Sequence, residues 1–256
     1  MAGAPQFSTD HFALKLGLFY AAYFFFGGVQ LPFFPLWLEA RGVDARSIGL
    51  VIAVPTLVRI VATPIVTHQA DRRRALKATL VIASIAATLA MTAVGLAAGV
   101  VAIVLAFGVA AVAFSPVLSL TDAYALSGLT ARSRAYGPVR MWGSVAFIAG
   151  NVAAGVLLEL IAPGNLIWLI VAALLASVFA ALALVPIDAG SKPAAATSPH
   201  SPKTLLRSPV FVAVALASSM VQGSHALYYG FSTLEWRAAG LDGTVIGVLW
   251  GLGVLA

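Results

Sequence analysis

Short polar breaks divide the chain into apolar segments of about 20 residues or more, long enough to cross the hydrocarbon core of a bilayer. Nothing else in the sequence restricts the fold as strongly. In hydrocarbon the backbone must satisfy its own N–H and C=O groups, and an α-helix does so within one segment. The first segment runs from about Phe12 to Leu38, the second from Ser47 to Thr67, and the third from Ala78 to Ala97. The fourth spans about Val100–Tyr124, the fifth Val139–Ile161, the sixth Leu166–Val185 and the seventh Val210–Leu234. An eighth opens at Val245 and reaches Ala256, too short to span alone. Charged residues make up only 9% of the chain, where a soluble domain carries about 25%. The expected class is an all-α polytopic membrane protein. The first segment is too long and too aromatic for a signal peptide and is expected to remain as the first membrane helix.

The net charge of +6 therefore points to no nucleic acid, and its distribution matters more than its sum. Arg72, Arg73, Arg74 and Lys77 follow the second segment, Arg132, Arg134 and Arg140 follow the fourth, and Lys192, Lys203 and Arg207 follow the sixth. The other side has only Arg41, Arg46 and Arg237. The positive-inside bias places the N-terminus and the even-numbered loops in the cytoplasm. There is no cysteine, which excludes disulfides, thiolate metal sites and thiol catalysis. His11, His68, His200 and His225 have no metal-ligand spacing. No metal, cofactor or catalytic residue is expected. No nucleophile–base pair or phosphate loop suggests an enzyme.

The run Gly42-Val43-Asp44-Ala45-Arg46-Ser47-Ile48-Gly49-Leu50 returns 198 residues later as Gly240-Leu241-Asp242-Gly243-Thr244-Val245-Ile246-Gly247-Val248. Both copies fall on the outer side with six spans between them, so the repeat is parallel. That is the relation between the two halves of a major-facilitator transporter. Residues 1–187 are expected to form a complete six-helix bundle. Residues 188–209, rich in Pro, Ala and Ser, read as a cytoplasmic linker, and 210–256 as the incomplete opening of a second bundle.

An ionisable residue in a membrane helix usually faces a partner or a wet cavity. Arg59, Asp122 and Arg140 stand out. Each lies in a polar stripe at helical spacing: Thr56, Arg59, Thr63 and Thr67; Ser115, Ser119 and Asp122; Arg140, Ser144 and Asn151. The seventh segment adds Ser218, Gln222, His225 and Tyr229, and the first adds Tyr23 and Gln30. Segments one, two, four, five and seven are expected to line a cavity, with three and six outside it. Small hydroxyls alone serve equally well as glue between helices. Arg59 could simply neutralise Asp122. His225 is a candidate for proton coupling, since histidine titrates near ambient pH, or else a structural residue. Asp71 fits a cap at the start of the third helix.

Tyr136-Gly137-Pro138-Val139-Arg140-Met141-Trp142-Gly143-Ser144 resembles the start of helix five in the lactose permease group. Leu31-Pro32-Phe33-Phe34-Pro35-Leu36-Trp37-Leu38, Gln222-Gly223-Ser224-His225-Ala226 and Ile246-Gly247-Val248-Leu249-Trp250-Gly251-Leu252-Gly253-Val254-Leu255 agree with it. The whole chain resembles the phenylpropionate-transporter-like branch of the major facilitator superfamily. The resemblance implies a proton-coupled symporter with alternating access in a bacterial inner membrane. An acid on helix four and an Arg on helix five hold the substrate in that pattern, and Asp122 and Arg140 occupy those places. The superfamily's gating-loop motif is matched at Asp71 and Arg72 and departs at Thr67 and Arg74. The family has twelve helices, so this chain is expected to be a C-terminally truncated form.

The expected function is symport of protons with a small organic solute, an aromatic carboxylate such as 3-phenylpropionate being the leading class. Arg59 and Arg140 would pair with its carboxylate. Tyr23, Trp142 and Phe147 would supply apolar walls, with Gln30 beside them, and Asp122 would hold Arg140 in the empty site. A sugar or nucleoside symporter is the alternative, and a non-transporting membrane assembly factor the alternative of another class. The expected partners are lipids, the solute and protons, and the chain is expected to be a monomer.

Overall fold

The structure, a computed structural model, describes residues 11–73, 75–187 and 206–255, without the side chain of Asp71. Arg74, Lys192, Lys203 and most of the expected linker lie outside the described residues. Nine α-helices occur among those described: α1 (Phe12–Ala40), α2 (Ala45–Arg73), α3 (Leu76–Leu96), α4 (Val100–Phe114), α5 (Val117–Thr130), α6 (Tyr136–Leu157), α7 (Leu166–Ala183), α8 (Pro209–Ala238) and α9 (Gly243–Leu255). Seven helical spans are long and apolar enough to cross a membrane, with α4 and α5 forming one of them. Leu57, Ile60, Val101 and Leu105 stand exposed on the outside of the bundle, where a membrane protein meets lipid.

The fourth apolar segment is expected to be continuous, yet it divides at Ser115–Pro116. Proline lacks the N–H for the helical bond and its ring crowds the carbonyl four residues back. The break leaves the Phe114 carbonyl free of the regular ladder, and the Tyr23 hydroxyl donates to it at 2.8 Å.

The nine-residue repeat is a stop–start cassette. Gly42 and Gly240 end α1 and α8 with φ of +75° and +89°, a left-handed conformation that glycine adopts without a Cβ clash. The next N–H reaches back in the same way in both copies, from Val43 to the Leu38 carbonyl at 3.1 Å and from Leu241 to the Trp236 carbonyl at 3.0 Å. Asp44 then caps α2, accepting from the Ser47 N–H at 2.8 Å, and Asp242 caps α9, accepting from the Val245 N–H at 2.7 Å. Each carboxylate satisfies a backbone donor that a helix start leaves unpaired. The Ser47 N–H and hydroxyl hold the Asp44 carboxyl below its ordinary value of 3.8. Ile48 and Ile246, four residues past the caps, are both buried and occupy the inner position of a hydrophobic staple with Val43 and Leu241.

Within the bundle α1 lies between α6 and α7, α3 between α7 and α4, and α2 against α4, while α9 packs on α6. The interior has two apolar clusters. One gathers Phe33, Phe34, Trp37 and Phe107 near the cassette end, and the other gathers Phe12, Leu16, Phe19, Tyr20 and Tyr124 near the opposite end. Hydrocarbon tails are as apolar as these side chains, so close packing and polar contacts must hold the helices together.

The α6 seam shows how. Phe147, Asn151, Gly155 and Glu159 recur every four residues and so share one face. A Cβ on Gly28 of α1 would collide with the Phe147 carbonyl, and one on Gly150 would come within 2.6 Å of the Phe25 carbonyl. A Cβ on Gly243 would stand 2.5 Å from the Gly155 carbonyl, and one on Gly247 would strike the Asn151 carbonyl. Backbone therefore touches backbone from α1 through α6 to α9. Asn151 is fully buried at the middle of the seam, and both atoms of its amide lack a hydrogen-bond partner among the described residues. At the cassette end Glu159 accepts from the Gly243 N–H at 2.7 Å, with Arg237 at 3.9 Å from the same oxygen.

Candidate functional site

Next to this seam, residues of α1, α6, α8 and α9 enclose a cavity of about 550 Å³. Phe24 and Leu31 line it from α1, Ser144 and Phe147 from α6, and His225, Tyr228 and Tyr229 from α8, with Trp250 from α9. Helical spacing explains the lining: Ser144 and Phe147 lie a turn apart on α6, and His225, Tyr228 and Tyr229 follow the i, i+3, i+4 rule on α8. Trp250 is buried, and its indole N–H donates to the Thr233 hydroxyl at 3.1 Å. Tyr228 and Tyr229 lie with ring centroids 4.9 and 5.5 Å from it, so the α8–α9 wall is a fixed aromatic surface. His225 contacts the Val221 carbonyl through Nδ1 at 2.7 Å. A carbonyl only accepts, so Nδ1 carries the hydrogen and Nε2 is left for the cavity.

A polar cluster lies beside this cavity, behind Phe24. The Tyr20 hydroxyl of α1 donates to Asp122 Oδ1 at 2.6 Å, and the Tyr136 hydroxyl of α6 donates to the same oxygen at 2.9 Å. Arg140, one turn beyond Tyr136, spreads its guanidinium over the Phe24 ring at 4.0 Å and over the Tyr20 ring at 5.4 Å. Aromatic faces attract cations within about 6 Å of the centroid. Among the described residues Arg140 makes no hydrogen bond and no ion pair. The direct contact expected between Asp122 and Arg140 is not formed among the described residues; Tyr20 touches both, Asp122 through its hydroxyl and Arg140 through its ring face.

The other expected site residues are placed differently. Phe147 and His225 line the cavity as expected. Arg59 is exposed on α2, pairs with no carboxylate among the described residues, and has Tyr23 of α1 as an electrostatic neighbour. Tyr23 does not line the cavity, since its hydroxyl is drawn to the helix break at Phe114. Trp142 is 58% exposed and lies over Gly17 of α1, outside the cavity. Gln30 is half-buried on α1 and is not part of the lining. Asp71 and Arg72 lie in the last turn of α2, which runs to Arg73, so Asp71 does not cap α3, whose cap position is Ala75; Arg72 is exposed, and the Asp71 side chain lies outside the described residues. The lining comes from α1, α6, α8 and α9; spans two and four, expected to line the cavity, supply none of it, and α3 and α7 stand outside. Tyr20, Tyr136, Tyr228 and Trp250 were not expected. Their rings merge into apolar segments, and only the phenolic and indole groups marked them as polar.

Comparison with known proteins agrees with this architecture. The "Probable 3-phenylpropionic acid transporter" of Escherichia coli strain K12 is 31% identical over 94% of this chain and 64% of its own length. The "Maltose permease" of Geobacillus stearothermophilus is 28% identical over 90% of this chain and 58% of its own length. The chain thus spans about three-fifths of the length of these relatives. The crystal structure of the nucleoside transporter NupG superimposes with a TM-score of 0.71 at 19% identity, covering 86% of this chain and 56% of NupG. A variant of the same transporter gives 0.76 at 17% identity over 95% of this chain and 65% of that one. The model of the MFS_1 like family matches residues 13–256. The chain belongs to that family of the major facilitator superfamily, whose members here are membrane transporters rather than enzymes.

Proposed function

We propose that the protein binds a small aromatic carboxylate, of the 3-phenylpropionate class, for proton-coupled symport. One observation carries the reading. Arg140 is oriented on two aromatic faces with its N–H donors uncommitted, beside a cavity walled by Phe147, Tyr228, Tyr229 and Trp250. A guanidinium offers a carboxylate two parallel hydrogen bonds. The aromatic walls favour offset or edge contacts with a phenyl ring. The name of the Escherichia coli relative supports this solute class. His225, with Nε2 free in the cavity, is the proton-coupling residue in this scheme.

The scheme also assigns residues 1–187 to a first bundle, 188–209 to a linker and 210–256 to the start of a second bundle. The N-terminus lies in the cytoplasm, the membrane is a bacterial inner membrane, the protein acts as a monomer, and Asp71 and Arg72, in the last turn of α2, take part in gating. Arg59, Gln30, Tyr23 and Trp142 join the site only in a conformation that brings them to the cavity. A second reading, a neutral sugar or nucleoside as solute, draws on the Ser144 and Ser224 hydroxyls at the cavity and on the maltose permease relative.

The test is proton uptake into vesicles on addition of 3-phenylpropionate, with the Arg140→Ala variant alongside. Loss of uptake in the variant is expected. Equal uptake by both proteins would sink the role of Arg140. Competition by maltose or a nucleoside, with none by benzoate-like carboxylates, would transfer the assignment to the second reading.

A further inference from the structure

Asp122 and Arg140 belong to neighbouring helices and share one neighbour, the side chain of Tyr20 on α1. Tyr20 is fully buried and touches every member of the cluster. Its hydroxyl binds Asp122 at 2.6 Å, its face lies under Arg140 at 5.4 Å, and its ring meets that of Tyr136 edge-on at 6.5 Å. Phe24, whose ring lies 6.3 Å from that of Tyr20, completes the bed beneath the guanidinium.

We infer that Tyr20 is a positioning residue that transmits the charge of Asp122 to Arg140 through its ring. This rests on the proposed role of Arg140 as the carboxylate-binding group. A phenol that donates its proton to a carboxylate gains electron density in the ring, and a richer ring face holds a cation more tightly. Asp122 thereby fixes Arg140 without occupying any of its N–H groups. A direct ion pair would fix Arg140 as well, but would consume the fork that a solute carboxylate needs. The relay therefore gives an anion site that is oriented and, among the described residues, without a hydrogen-bonded partner. Tyr136 has no such part. It donates to the same Asp122 oxygen at 2.9 Å, yet among the described residues the rings under the Arg140 guanidinium are those of Tyr20 and Phe24, not that of Tyr136.

Two measurements separate this relay from simple satisfaction of a buried carboxylate. The first needs no solute: the rate at which phenylglyoxal, an arginine-selective dicarbonyl, modifies Arg140 in the purified full chain, read by mass spectrometry of the Arg140 peptide. Loosening the guanidinium in Tyr20→Phe should raise the rate about threefold. Asp122→Asn should do the same, and the double variant should add nothing, because both changes cut one path. Tyr136→Phe should stay within about twofold of the natural protein although it removes a hydrogen bond to the same carboxylate. The second measurement is the affinity for 3-phenylpropionate, expected to fall in the same order in the same variants. Phenylalanine keeps the ring, and thermal melts identify any variant that has lost its fold. Should Asp122→Asn unfold, Tyr20→Phe against Tyr136→Phe still decides. Equal effects of those two, or additive effects of Tyr20→Phe and Asp122→Asn, overturn the relay. A relay that holds in the labelling rates while 3-phenylpropionate fails to bind would instead refute the solute reading alone.

Discussion

α6 and α8 flank the same cavity and meet their neighbours in opposite ways. α6 touches α1 and α9 backbone to backbone through Gly28, Gly150, Gly155, Gly243 and Gly247, so no space is left. α8 presents Tyr228, Tyr229 and Trp236 to its neighbours, and of its residues only Gly230 and Thr233 are buried. Small side chains bring helices together and large ones prop them apart. The cavity is thus a product of residue size along the chain: glycines seal one length of the helix pair, and aromatics hold the next length open. Neither helix is placed by hydrophobic burial in the way a soluble protein would place it.

The sharpest way to break this contrast is to put the same bulky residue on both helices. Gly155→Leu forces a side chain into the Gly243 backbone and should cost about 3 kcal/mol. Gly223→Leu on α8, where nothing lies within 4 Å of a new Cβ, should change stability by less than about 0.5 kcal/mol. Denaturant titration in micelles, followed by tryptophan fluorescence, measures both, and equal effects would dissolve the distinction. Next in size is Arg140→Ala. It should weaken 3-phenylpropionate binding about tenfold to a hundredfold, the worth of hydrogen bonds to a charged group, in a fluorescence titration that leaves the melting temperature within a few degrees. Tyr228→Ala tests the propping side. Loss of one aromatic face should weaken binding about fivefold, whereas an unchanged affinity would mean that α8 only borders the cavity.

Smaller still are the caps. Asp242→Ala should cost about 1 kcal/mol and loosen the start of α9, measured as faster amide exchange at Val245. Asp44 gives a pH signature. Its carboxyl titrates lower in the folded protein than in the unfolded chain, since Ser47 binds the charged form. Its contribution is therefore present above the ordinary value of 3.8 and is lost as pH falls through the lower folded value. Asp44→Asn should flatten stability against pH in that acid window alone. A slope identical to that of the natural protein would deny the cap its role.

What could be read from the sequence follows from how local the physics is. The seven spans were legible because each needs only its own run of apolar residues. The repeat at Gly42 and Gly240 was legible as a repeat, although its cause, a left-handed stop followed by an aspartate start, emerged only from the backbone. Pro116 was visible in the chain, yet an apolar run on both sides concealed the break it makes. The site was harder. Asp122, Arg140, Phe147 and His225 could be marked as polar or aromatic residues on a helical face. Which faces meet depends on contacts such as Tyr20 with Asp122, 102 residues apart, and no periodicity within one helix carries that information. Arg59 and Gln30 were marked by the same reasoning and lie elsewhere for the same reason.

The cassette has a consequence for the order of assembly. All its bonds close within six residues, from Leu38 to Val43 and Asp44 to Ile48, and again from Trp236 to Leu241 and Asp242 to Ile246. Closing so short a loop loses little chain entropy, and elements built from local contacts form fastest. Each cassette can reverse the chain as soon as its own residues are made, before any distant helix exists. The antiparallel course of α1 with α2, and of α8 with α9, is then set during synthesis. The glycine seam on α6, by contrast, joins helices far apart in the chain and can close only once both are present.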